Sequence, residues 1–201
     1  MLLCEAKKLF SESEKLLIKQ AASIQNGHGY RVGKIACEIA KLAGLHSLDR
    51  KKLRLAGKMH DTGKLLIPNE ILEAPRALTP EERAIVRQHP SLGLGILLWR
   101  KKNFPIEVLD AMLMHHERWD GAGYPLGLKD KQIPLAVRVI TLADVIDALA
   151  SHREYRGACD VDFIRHELED GKGSHFDPEL AEVCLQHLDD ILAKRVTSKT
   201  Q

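Results

Sequence analysis

Residues 135–150 read LAVRVITLADVIDALA, and this stretch decides the fold class. Its apolar residues recur at spacings of three and four with no alternation of period two, which marks a helix rather than a strand. The same periodicity runs outward in both directions. Upstream, Pro105 opens a helix through Val108, Leu109, Met112 and Leu113 to His115-His116. Residues 117–134, with Gly121, Gly123, Pro125, Gly127 and Pro134, form a loop. Thr79-Pro80-Glu81-Glu82 supplies an N-cap, a first-turn proline and acidic residues that favour the helix dipole. That helix runs toward Trp99, with Pro90 breaking or kinking it. Asp49 or Ser47 starts a helix through Leu53, Leu55, Ala56 and Met59 that ends near Gly63. Residues 28–43 carry a helical stripe closed by Gly44, and 2–24 carry another. Downstream, Asp177-Pro178-Glu179 starts a final helix to about Lys194. The expected architecture is all-α, a helical bundle with one functional loop inserted.

Composition narrows the class. The 201 residues are 44% hydrophobic and 29% charged, enough for one domain with a substantial core. A net charge of +2 implies no polyelectrolyte partner, so no DNA is expected. No apolar run is long enough to insert into a membrane, and Glu5, Lys7 and Lys8 interrupt any signal-peptide layout, which leaves the cytoplasm. Cys4, Cys37, Cys159 and Cys184 lie far apart without a CxxC pair and read as free thiols.

The chemistry lies in dispersed histidines and aspartates. His60-Asp61 ends an apolar stretch, and Lys64, on the face of His60, adds a cation suited to an anionic substrate such as a phosphate. Alone, His60 could simply bond a neighbouring carbonyl. His115-His116 ends another apolar helix and leads into a glycine-rich loop whose backbone can approach a ligand closely. Asp144, inside its apolar helix, needs a cation or hydrogen bonds to remain ionised. Asp147, one turn on, is a supporting residue behind it or a partner for Arg138. His28 and His89 complete a set of seven donors: His28, His60, Asp61, His89, His115, His116 and Asp144. Nitrogen and carboxylate donors without thiolate suit iron, manganese, zinc or nickel. Seven exceed the needs of one ion, so two adjacent divalent ions are the economical inference, an arrangement that suits phosphoryl chemistry.

The segments HDTGKLLIP (60–68), LTPEERAIVRQHPSLG (78–93), HHERWDGAGYPLGL (115–128), LADVIDALASHREYRGA (142–158) and FDP (176–178) resemble the HD-GYP family, a branch of the HD-domain phosphohydrolases. The resemblance covers about residues 25–185. It implies an HD-type helical core with extra C-terminal helices and a GYP loop, and hydrolysis of cyclic di-GMP. By that resemblance the seven donors fall on the family's metal-ligand positions, with iron or manganese as the foremost metals. Asp61 and Lys64 would be catalytic, Lys64 contacting the scissile phosphate. Arg153 and Arg156 would hold the dinucleotide's phosphates, and Gly123 and Tyr124 would shape the loop beside the site. It also divides the chain into an N-terminal linker or dimerisation helix (1–24), a catalytic domain (25–195) and a tail (196–201).

One departure matters. Members with three metals carry a glutamate four residues before the first ligand histidine, where this chain has Ile24. The expectation is therefore a two-metal centre whose product is linear pGpG. The rivals are 3′,3′-cyclic GMP-AMP as substrate, a catalytically silent module that binds nucleotide or a partner domain, and a generic HD phosphohydrolase acting on nucleotides, which the complete GYP loop weakens. A homodimer or a sensory or receiver partner domain would supply regulation.

Overall fold

The computed structural model describes residues 12–46, 48–99, 103–151 and 159–196. They form ten α-helices and contain no strand, only an isolated bridge between Lys172 and Phe176. The all-α expectation holds. None of these helices is long and apolar enough to cross a membrane. Cys37, Cys159 and Cys184 are free thiols, as expected, and Cys4 lies outside the described residues.

Helix α1 (Glu12–Leu42) joins what the sequence divides into two helices. The expected break is instead a local distortion: Asn26 (φ 56°) and Gly27 (φ 78°) turn left-handed, a conformation these two residue types tolerate. The Arg31 guanidinium donates to the Asn26 carbonyl at 2.6 Å and secures the distortion. Helix α2 (Arg50–Met59) starts at Asp49, whose side chain accepts from the Lys51 N–H at 2.7 Å. The two helices meet backbone on backbone, since a Cβ on Gly57 would sit 2.5 Å from Gly33 Cα. This crossing brings His28 beside His60, with ring centroids 5.3 Å apart.

A 3-10 turn (Thr62–Leu66) and the short α3 (Asn69–Leu72) lead to α4 (Pro80–Val86) and α5 (His89–Trp99). Thr79 and Glu82 make the full capping box on α4. Pro90 does break the helix here: it falls in the first turn of α5, where its missing N–H costs nothing. After α6 (Ile106–Met114), α7 (Leu135–Leu149) runs through the core with Val137, Val139, Ile140, Leu142, Ala143 and Ile146 all buried. Burial on so many sides explains its unbroken apolar composition. Truncating fully buried Ile140 to alanine would cost about 2–5 kcal/mol.

Two differences appear downstream. Helix α8 (Val161–Gly171), capped by Asp160 on the Phe163 N–H at 2.7 Å, is absent from the sequence reading. It buries only Ile164 and Leu168, too few apolar positions to show a period. The final helix is two, α9 (Pro178–Gln186) and α10 (Leu188–Val196), separated at His187, whose φ of −124° is not helical.

Candidate metal centre

Helix ends converge on one place. The C-cap of α2 is His60, followed by Asp61; α5 begins at His89; the C-cap of α6 is His115, followed by His116. Helices α1 and α7 contribute His28 and Asp144 from their interiors. All seven sequence-selected donors thus meet. They form three overlapping groups, His28/His60/Asp144, His60/Asp61/His115 and His89/His115/His116, with ligand atoms in each group within 4.8 Å of one another.

Asp61 joins the two halves. Its Oδ2 lies 3.4 Å from His60 Nε2 and 4.0 Å from His28 Nε2, while its Oδ1 lies 3.2 Å from His89 Nε2 and 3.7 Å from His115 Nε2. Four of the five histidines have the ring nitrogen that faces away from the centre engaged. Nδ1 of His60 meets the Gly57 carbonyl at 2.8 Å, that of His89 the Val86 carbonyl at 2.7 Å, and that of His115 the Ala111 carbonyl at 2.8 Å. A carbonyl only accepts, so these three Nδ1 atoms carry the proton and, in the neutral ring, Nε2 turns a lone pair inward. His28 Nδ1 lies 2.7 Å from Asp147 Oδ2 and is oriented in the same way.

Lone pairs turned inward need a cation. His89 Nε2 and His115 Nε2 lie 3.1 Å apart, and His60 Nε2 and Asp61 Oδ1 are buried without any hydrogen-bond partner. Divalent metal ions fit this donor set, because they would satisfy those atoms and balance the two carboxylates. The electrostatics agree for the His115/His116 half. Burial pulls the His115 imidazolium down to about 4, and burial together with neighbouring His115 pulls His116 well below its ordinary value, so both rings are neutral. Burial opposes ionisation of Asp61, but Lys64 and His60 overcome it and hold the carboxyl well below the usual range. The His28 half differs: burial opposes its protonation, yet its contacts to Asp144 and Asp147 raise it to about 9, so without an ion Nε2 carries a proton toward Asp144 Oδ1, 2.8 Å away, which a metal would displace. Asp144 itself, against burial, is held low chiefly by His28.

Lys64 donates to Asp61 Oδ2 at 2.6 Å, so its ammonium stands at the edge of the donor set. Ile24 offers no ligand atom on the turn of α1 before His28. In the loop, the Tyr124 ring stacks on His116 at 4.8 Å between centroids, 17° from parallel. Gly123 lies where a Cβ would come within 2.4 Å of the Arg118 backbone nitrogen. Arg153 and Arg156 lie outside the described residues.

Several contributors escape the sequence reading. Buried Glu117 accepts the backbone N–H groups of Leu126 (2.6 Å) and Leu128 (3.0 Å) and ties the loop to α6. Arg87 lays its guanidinium over the outer face of Tyr124, 4.3 Å from the centroid. Arg138 does not bind Asp147; it pairs with Asp177 at 2.7 Å, and Asp147 instead takes Arg31 and Arg195. No spacing signal marks these contacts. Only the acid following the double histidine hinted at Glu117.

The HD domain family model matches residues 6–180. The 3′3′-cGAMP-specific phosphodiesterase 2 of Vibrio cholerae is 37% identical over 179 residues, covering 89% of this chain and 34% of that protein. A cyclic di-GMP phosphodiesterase of Thermotoga maritima is 39% identical over 161 residues, covering 79% and 43%. The chain thus spans less than half the length of these relatives. In fold it is similar to an HDG"Y"P protein from Bdellovibrio bacteriovorus, with a TM-score of 0.66 at 20% identity over 88% of this chain and 58% of that one. The HD domain of the phosphodiesterase PgpH from L. monocytogenes, solved with cyclic-di-AMP, gives a TM-score of 0.59 at 16% identity, covering 92% and 99%.

Proposed function

The chain belongs to the HD-domain family, and on that premise we propose that it hydrolyses cyclic di-GMP to linear pGpG in bacterial second-messenger signalling. One observation carries the reading: Asp61 stands between two groups of inward-facing imidazole nitrogens, one on each of its oxygens. His28, His60, Asp61 and Asp144 would hold one divalent ion, and Asp61, His89, His115 and His116 the other. The donor set, all nitrogen and oxygen, suits iron, manganese, zinc or nickel, and the likeness to the HD-GYP family favours iron or manganese. Two ions so held would supply Lewis acidity and an activated water to a phosphodiester.

The remaining work falls to side chains. Lys64 reaches the same edge of the site as Asp61 Oδ2 and neutralises charge that develops on a phosphoryl oxygen. Tyr124, stacked on His116 with the Arg87 guanidinium over its ring, lines the mouth. Arg153 and Arg156 take the dinucleotide's phosphates, a task that suits guanidinium forks. Ile24 withholds a third acidic ligand, so the reaction stops at pGpG. Residues 25–195 are the catalytic unit of a cytoplasmic protein that works as a homodimer or with a sensory or receiver domain.

The second reading, hydrolysis of 3′,3′-cyclic GMP-AMP, draws on the likeness to the Vibrio cholerae cGAMP-specific enzyme. The test is metal-loaded protein, kept reduced, given each dinucleotide separately and in competition, with products identified by mass spectrometry. Cyclic di-GMP should disappear first and pGpG should accumulate. Preference for the mixed dinucleotide would select the second reading. If both stayed intact with iron, manganese, zinc and nickel, the phosphodiesterase reading would fail.

A further inference from the structure

Behind the donor set lies a carboxylate with more cationic partners than its charge requires. The side chain of Asp147 is fully buried, and its Oδ2 lies 2.7 Å from His28 Nδ1. Arg31 Nε reaches Asp147 Oδ1 at 2.8 Å and Oδ2 at 3.1 Å. From the far end of the chain, on α10, Arg195 Nε donates to the same Oδ1 at 2.7 Å. Its Nη2 donates to Ser151 Oγ at 2.6 Å, and that hydroxyl lies 3.3 Å from Asp147 Oδ2. One arginine would suffice to balance one buried carboxylate. A second, forked onto both Asp147 and Ser151, fixes the plane of the carboxylate, and that plane fixes the ring of His28.

We propose that Arg195 is a positioning residue for one half of the metal centre, acting through Asp147 on His28. This rests on the two-metal reading above. Helix α10 lies beyond the segment matched by the HD domain model, which ends at residue 180. The clamp is also one-sided. His28 belongs to the His28/His60/Asp144 group and not to His89/His115/His116. Loosening Arg195 should therefore weaken one ion and spare the other, and removing a partner that orients a ligand histidine typically lowers metal affinity about 10- to 100-fold.

The experiment compares wild type with Arg195→Ala, Arg195→Lys and Leu192→Ala, by calorimetric titration with Mn²⁺ and by ¹¹³Cd NMR of the loaded proteins. Leu192, on the same helix, packs against the core and makes no hydrogen bond to Asp147, so its truncation reports the effect of merely loosening α10. Wild type should take two ions and give two cadmium resonances. Arg195→Ala should weaken one site about 10- to 100-fold and move one resonance. Arg195→Lys should recover part of the loss, since it restores charge without the fork. Leu192→Ala should keep both sites. Equal weakening of both sites in Arg195→Ala, an unchanged pair of sites, or the same loss in Leu192→Ala would each overturn the clamp while leaving the metal centre standing. Wild-type protein that takes up no ion would instead bring down the metal-centre reading and the clamp with it.

Discussion

Asp61 Oδ1 lies 3.2 Å from His89 Nε2, on the opposite side of its carboxyl from the oxygen that takes the Lys64 ammonium. A single carboxylate facing both halves of the site makes the two ions depend on one residue. Asp61→Asn keeps the shape but loses the charge and one acceptor oxygen. Metal content should fall from two ions per chain toward none, and phosphodiesterase activity should be abolished. His89→Ala removes a donor from one half only, so about one ion should remain. Elemental analysis of the purified variants distinguishes the two patterns, and equal retention of metal in both would count against a bridging role.

Removing metal should destabilise the fold as well as silence it. The donors come from helices α1, α5 and α7 and from the two residues that follow each of α2 and α6, so a bound ion ties most of the core together. An ion present at a hundred times its dissociation constant stabilises the native state by about 2.7 kcal/mol. In a chain of this size that corresponds to roughly 5–10 °C in melting temperature. Scanning calorimetry with and without a chelator should show that drop for each tightly bound ion, and re-addition of Mn²⁺ should reverse it.

The donor set was legible because buried charge is costly and therefore conspicuous. Asp144 within LAVRVITLADVIDALA and the two pairs at helix ends were visible as exceptions to apolar patterns. The helices α2, α6 and α7 were equally plain, being defined by caps, prolines and buried stripes. Invisible were the links set by tertiary packing. The Gly33–Gly57 contact that brings α1 onto α2 looks, in sequence, like two ordinary glycines. Arg195 falls just past the expected end of the final helix at Lys194, and nothing local ties it to a carboxylate on a helix far upstream. Helix α8 stayed hidden because two buried side chains do not make a period.

At the start of the glycine-rich loop, Asp120 takes two guanidinium nitrogens of Arg118, at 3.1 and 2.7 Å, and the N–H of Ala122 at 2.9 Å. The Arg118 hydrogen bonds, foremost, lower its carboxyl from 3.8 to about 2. A folded value below the unfolded one means that the stabilisation is present in full above about pH 4 and is lost as pH falls toward 2. Both side chains are partly exposed, so the effect on stability is small, and the carboxyl titration itself is the better observable. NMR should place the Asp120 midpoint near 2 in wild type and return it toward 3.8 in Arg118→Ala. A wild-type midpoint at the ordinary value would show that the pair does not hold the loop in solution.

Glu117 follows a proposed ligand yet serves the loop. Its side chain is buried, and each oxygen accepts one backbone N–H, from Leu126 and Leu128. Glu117→Gln preserves the shape but sets an amide N–H₂ against one of those backbone donors. An unsatisfied buried donor costs about 1–3 kcal/mol, which lowers the closed-to-open ratio of the loop roughly 5- to 150-fold. Tyr124 belongs to that loop and stacks on His116, so the wall of the substrate site loosens while the inward-facing donors stay in place. The variant should therefore bind two ions like wild type, with KM for cyclic di-GMP raised by about that factor and kcat changed less. Loss of metal in Glu117→Gln would instead make this acid part of the centre, and unchanged KM with full metal content would mean that the loop is held by other contacts.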